Sequence, residues 1–208
     1  MTKKMSDQAV QKINHRLEDD RQGALVYLAG PDVFLPEVIQ LAGRKKELCK
    51  TYGFEGAFPM DVELEASTTL APFDKAAAIS RANENLMRQC DVVIANLTPF
   101  RGASADVGTV YEIGFMRGLG KPVFGYTNIV QDYKERVEHY NSNCMSCVDP
   151  YTRAAEIEDF GLFDNLMVEF ALRHDEACIQ RVAVSEGEEL TDLTGFERCL
   201  KRAAKIYT

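Results

Sequence analysis

The chain has no apolar run long enough to cross a bilayer. Its first residues, "MTKKMSDQAVQKINH", lack the apolar core of a secretory signal. Neither insertion nor secretion is expected, and the reading is a cytoplasmic protein. Positive charge is also in short supply: 24 Lys and Arg stand against 32 Asp and Glu, for a net charge of -8. That balance argues against a nucleic-acid backbone or an anionic membrane surface as partner, and leaves room for a small, locally bound anion. The cysteines (Cys49, Cys90, Cys144, Cys147, Cys178, Cys199) are irregularly spaced. The one CxxC, "CMSC" at 144–147, has no second ligand pair, so it reads as a loop rather than a zinc site. The thiols are expected to be reduced. There is no internal repeat and no low-complexity tract.

What is present is an ordinary globular composition, 46% hydrophobic and 27% charged over 208 residues, enough for one domain with a sizeable core. Residues 1–23 are polar and read as an arm ahead of a domain over 24–208. "ALVYLAG" (24–30) is a continuous apolar run, the signature of a strand buried on both faces. A helical pattern over 36–53 follows, ending at a Gly stop. "FEGAFPMD" (54–61) reads as a second strand, 68–90 as a helix with Pro72 near its start, and "DVVIANLTP" (91–99) as a third strand. After a Gly-containing loop comes a helix within 104–120, then a fourth strand in "KPVFGYT" (121–127). The stretch 128–160 is polar and gives no clear pattern. Two helical patterns close the chain, around 162–184 and 189–205. Alternating strands and helices predict an α/β doubly wound fold with a parallel sheet.

In such a sheet, ligands sit at the carboxyl ends of the strands. Three of those ends carry polar chemistry: Tyr27 near "AGPDVF", Asp61 in "FPMD", and "ANLTPFRGASAD", which runs into the helix of Glu112. Glu112 lies within two turns of its helix start, so it can point back over the strand ends. Two carboxylates in one cleft, Glu112 and Asp106, can divide the breaking of a glycosidic bond between a nucleophile and a proton-handling group. Each also has a plain structural reading. Glu112 can be a solvated helix residue, Asp106 an N-cap, Asp61 a turn residue, and Arg101 either a residue that closes over a ligand or a solvated loop residue.

The block "ANENLMRQCDVVIANLTPFRGASADVGTVYEIGFMRGLGKPVFGYTN" (82–128), with "VYLAGPDVF" (26–34) and "FGLFDNLM" (160–167), closely resembles the nucleoside 2-deoxyribosyltransferase family. The resemblance covers roughly residues 25–185. It implies a flavodoxin-like domain in a homo-oligomer with sites shared between subunits. The implied reaction moves 2-deoxyribose between the bases of 2'-deoxyribonucleosides and free nucleobases, with retention, without a cofactor and without a metal. The family nucleophile falls on Glu112, the base-handling aspartate on Asp106, and the orienting tyrosine on Tyr27. The asparagine that reaches a neighbour's site to bind the sugar 5'-hydroxyl falls on Asn165. Asp61 and Asn83 are weaker expectations for the substrate rim, with Gly30 beside them. Some members place a base-binding aspartate eight residues before the aspartate that opens the third strand; here that position is Asn83, which both donates and accepts. Nothing carries over to Thr208, because the chain end "KIYT" does not match. Two other readings stand beside transfer: a hydrolase acting on deoxynucleosides or their 5'-monophosphates, and a non-enzymatic nucleoside sensor.

Overall fold

Continuous apolar runs form strands whose two faces are both covered by helices. In the computed structural model, which describes residues 23–63, 70–143, 149–172 and 179–207, β1 spans Ala24–Ala29. It is followed by a 3-10 turn at Pro31–Phe34, α1 (Val38–Thr51), β2 (Phe54–Ala57), α2 (Met60–Glu63) and α3 (Pro72–Gln89). Then come β3 (Val92–Asn96), α4 (Val107–Gly118), β4 (Val123–Thr127), α5 (Tyr133–Asn143) and α6 (Pro150–Arg153). The chain closes with α7 (Leu166–Leu172), β5 (Ile179–Arg181) and α8 (Thr194–Tyr207). The five strands are parallel in the order β2-β1-β3-β4-β5, the flavodoxin-like order, and the winding reverses between β1 and β3.

Alternation along β1 divides the core. Leu25, Tyr27 and Ala29 join Leu86 and Met87 of α3, Ile113 and Met116 of α4, and Leu172 of α7. Val26 and Leu28 point the other way, toward Leu41 and Cys49 of α1 and Phe196, Cys199, Leu200 and Ala203 of α8. The spacing of those four α8 residues is the stripe of an amphipathic helix laid on a sheet. At Gly125 in β4, an added Cβ would lie 2.2 Å from Leu172 Cδ2 and 2.7 Å from Leu97 Cδ1, so glycine there lets α7 approach without displacing either leucine.

The fifth strand differs from the sequence expectation of helix across 162–184. Among the described residues of that stretch, the helix is Leu166–Leu172, and Ile179–Arg181 pairs with Gly125–Thr127 of β4. Three half-buried residues, "IQR", are too few to show a period of two. The polar stretch 128–160 contains α5 and α6, neither with a buried residue, which is why no apolar stripe announces them. Residues 1–22 of the expected 1–23 arm, the CMSC motif and Cys178 lie outside the described residues; Cys49, Cys90 and Cys199 are buried in the core. No helix among the described residues is long and apolar enough to cross a membrane.

At the carboxyl edge of β1 and β3 lies a polar cluster with no signal in the sequence pattern. Asp32 and Lys45, 0% and 1% exposed, form an ion pair. Asn96 Nδ2 donates to Asp32 Oδ1 at 3.2 Å, and the Lys45 ammonium lies 5.4 Å from the centre of the Phe196 ring. A charge pair this deep survives because each member is compensated by the other and by further partners.

Candidate active site

β1 places Tyr27 on the face covered by α3 and α4, and α4 brings Glu112 to it: Tyr27 Oη donates to Glu112 Oε1 at 2.5 Å. The tyrosine is fully buried and the glutamate half-buried. Loss of water pushes the Glu112 carboxyl up from 4.5 to about 7. The Tyr27 hydrogen bond opposes that rise and the charge of Asp106 adds to it. Burial, and then the Glu112 charge, push the Tyr27 phenol well above its usual range, so it stays a donor. Oε1 is occupied by the phenol, and Oε2 has no hydrogen-bond partner among the described residues.

Asp106 is the N-cap of α4, with Oδ2 accepting from the Thr109 backbone N–H at 3.1 Å and from Thr109 Oγ1 at 3.3 Å. Its structural reading is therefore real. It does not exhaust the residue, since Oδ1 is unengaged among the described residues and the carboxylate is close enough to act on Glu112.

Asn83 lies on α3 beside Glu84, which accepts from Tyr111 Oη at 2.7 Å. Asn83 Oδ1 is buried with no hydrogen-bond partner among the described residues. A buried acceptor left unpaired is costly in a native fold. Asn165 sits at the start of α7, its Oδ1 accepting from Met167 N at 3.0 Å and its Nδ2 donating to Glu158 at 2.6 Å.

Two expected rim residues are occupied structurally. Asp61 accepts from Phe58 N at 2.9 Å and pairs with Lys46 of α1 at 2.6 Å, on the sheet face opposite α4. Gly30 has φ of +154°, and a Cβ there would lie 2.6 Å from Asp32 Oδ2 and 2.8 Å from Asn96 Cβ. Its glycine is required by the Asp32 cluster, whatever it offers a ligand. Arg101 adopts a left-handed φ of +57°, and its guanidinium lies 4.8 Å from the ring centre of Phe34 and 4.7 Å from that of Phe100. It thus bridges the loops that follow β1 and β3.

Residues missed in the sequence reading hold the loop that leads into Asp106. Asp164 Oδ2 accepts from Ala105 N at 2.9 Å, while its Oδ1 accepts from Asn165 N at 2.8 Å. Arg136 Nε donates to Ala103 O at 2.9 Å, and the same guanidinium donates to Phe163 O. A buried Asp inside "FDNLM" looks like any helix-start acid, and nothing local ties it to residue 105.

The fold and these side chains define an α/β protein with a tyrosine-held carboxylate beside the switch point of a parallel sheet. The chain belongs to the nucleoside 2-deoxyribosyltransferase family, whose model matches residues 26–167, more than half of its length. An uncharacterized protein of Schizosaccharomyces pombe is 40% identical over 117 residues, which is 55% of this chain and 55% of that protein. The chain thus matches about half the length of that relative. Among solved structures, a 2-deoxyribosyltransferase from Leishmania mexicana superposes with a TM-score of 0.53 at 25% identity, over 80% of this chain and 93% of that one. A 2-deoxyribosyltransferase from Bacillus psychrosaccharolyticus gives 0.45 at 18% identity, over 65% and 100%.

Proposed function

We propose that the protein transfers a 2-deoxyribosyl group from one nucleobase to another through a covalent intermediate on Glu112. The observation that carries this reading is the bond from Tyr27 Oη to Glu112 Oε1, which aims the carboxylate and leaves Oε2 unengaged. A held carboxylate is a competent nucleophile toward a sugar carbon. Oε2 attacks C1' on the face opposite the base. The C1'–N bond breaks with its electron pair passing to the base nitrogen, and Asp106, entering this step as the neutral acid, passes its proton to the base and becomes the carboxylate. A second base then attacks C1', the C1'–O bond to Glu112 breaks, and the proton returns to Asp106. Two displacements at one carbon give retention.

Membership of the family supports this chemistry, and the orphaned Oδ1 of Asn83 supports a polar contact to the base. Asn165 serves the sugar 5'-hydroxyl in a neighbouring subunit's site, which makes the active species a homo-oligomer. The test is a transfer assay with deoxyadenosine, deoxyinosine, deoxycytidine and thymidine as donors, each with and without a panel of free bases. New nucleosides should form only when base is added, and Glu112→Ala should lower the rate by several orders of magnitude. Release of free deoxyribose at the same rate with and without added base would instead make the protein a hydrolase. No turnover of any donor would leave a binding role.

A further inference from the structure

Asp106 and Asn165 lie far apart in sequence, yet one buried carboxylate touches the backbone beside both. Asp164 is 1% exposed, and its two oxygens go to two different segments: Oδ2 takes the Ala105 amide, just before Asp106, and Oδ1 takes the Asn165 amide. The charge is compensated from a third element, α5, by Arg136, 3.6 Å away with its side chain only 9% exposed. Arg136 also grips both segments directly, through Ala103 O on one side and Phe163 O on the other. A single acid at a helix start needs none of this. The N-cap of α7 is Asn165 itself, whose own side chain accepts from Met167 N.

We propose that Asp164, held by Arg136, is a positioning residue that locks the loop carrying Asp106 to the helix start carrying Asn165, so that both substrate-handling groups move as one unit. The inference rests on the proposed roles of those two residues. It also accounts for a cost. Asp164 is raised above the usual carboxylate range by burial, although both amides and Arg136 favour its charged form. Burying an ion this deeply does not add stability by itself. Its retention is explained by the geometry it imposes on two segments at once.

The test separates position from mere stability. Asp164→Ala removes both amide acceptors; Arg136→Lys keeps a cation and loses the fork, and carries the test if the first variant does not fold by circular dichroism. The readout is the ratio of transfer rates for an activated and a poorly leaving base, which does not depend on the fraction of folded enzyme. Asp164→Ala should raise that ratio at least about fivefold, in the same direction as Asp106→Asn. In an Asp106→Asn background it should add nothing, because it acts through Asp106. Equal losses for both leaving groups, or a ratio that still changes in the Asp106→Asn background, would overturn the proposal. Hydrogen exchange stands apart from turnover. In either variant, amides within 103–107 and 165–168 should exchange faster together, and acceleration of neither or of only one segment also overturns it. If Asp106→Asn leaves the ratio at the wild-type value, the proposed role of Asp106 is what fails, and coupled exchange still decides whether Asp164 is the lock.

Discussion

Tyr27 and Glu112 are 85 positions apart in the chain and 2.5 Å apart across a hydrogen bond. The bond exists because β1 lies next to β3 and α4 descends from β3 over the same sheet face. At Glu112 two influences pull in opposite directions: burial favours the neutral glutamic acid, and the phenol favours the carboxylate.

The first prediction concerns stability. Glu112→Gln keeps an acceptor for Tyr27 and removes the charge. The wild-type cost of ionising a buried acid is absent below pH 4.5, grows between 4.5 and about 7, and is complete above that. A shift of that size sets a ceiling of about 3 kcal/mol, which the partial exposure of Glu112 cuts to roughly 1–2 kcal/mol. Denaturant unfolding at pH 8 should therefore find the Gln variant more stable by about that amount, with the gap closing at pH 4. A variant less stable than wild type at pH 8 would contradict this.

A second prediction concerns the pH–rate profile. On the proposed mechanism the attacking form of Glu112 is ionised, so the acidic limb of kcat/KM should rise with pH through about 7. Tyr27→Phe deletes the interaction that lowers this carboxyl, and the acidic limb should move to higher pH. An unmoved limb would mean that the phenol does not act on the reacting carboxylate.

Asp106 is predicted to separate into two functions. Asp106→Asn should keep the cap on Thr109 and unfold within a few tenths of a kcal/mol of wild type, whereas Asp106→Ala should lose about 1 kcal/mol. Both should slow poorly leaving bases more than activated ones. Normal rates for every base in the Asn variant would reduce Asp106 to a cap.

Subunit sharing can be read from mixed oligomers. Glu112→Ala and Asn165→Ala chains should each be nearly inactive alone. Co-expressed, a hybrid pair has one site built from the two intact residues, so about a quarter of wild-type activity should return in a two-fold symmetric pair. Verified hybrids without recovered activity would place Asn165 in its own chain's site, where Glu158 already holds it.

Lys45→Met tests the buried pair at the strand ends. It removes the ammonium paired with Asp32, which is 0% exposed, leaves the Asn96 amide as a donor to it, and should cost about 3–5 kcal/mol. Asp32→Asn in the same chain should recover part of that loss. Melting curves that rank the double variant below the single one would refute this account.

Four strands, the helices between them and the parallel class were legible because burial on both faces writes an uninterrupted apolar run, as in "ALVYLA" and "VVIAN". The motif "SADVGTVYEIG" likewise placed Asp106 before a helix and Glu112 within it, and marked the family. Tertiary structure alone decided the rest. β5 is a strand because β4 offers it an edge, since "IQR" has no pattern of its own. Asp61 turned toward Lys46, Gly30 is required by Asp32, and Asp164 reached Ala105 across 59 positions. Sequence periodicity reports how a residue is buried relative to its immediate neighbours. Which distant group meets it depends on strand order and register, and a carboxylate's partner, and with it its pKa and its use, is determined at that level.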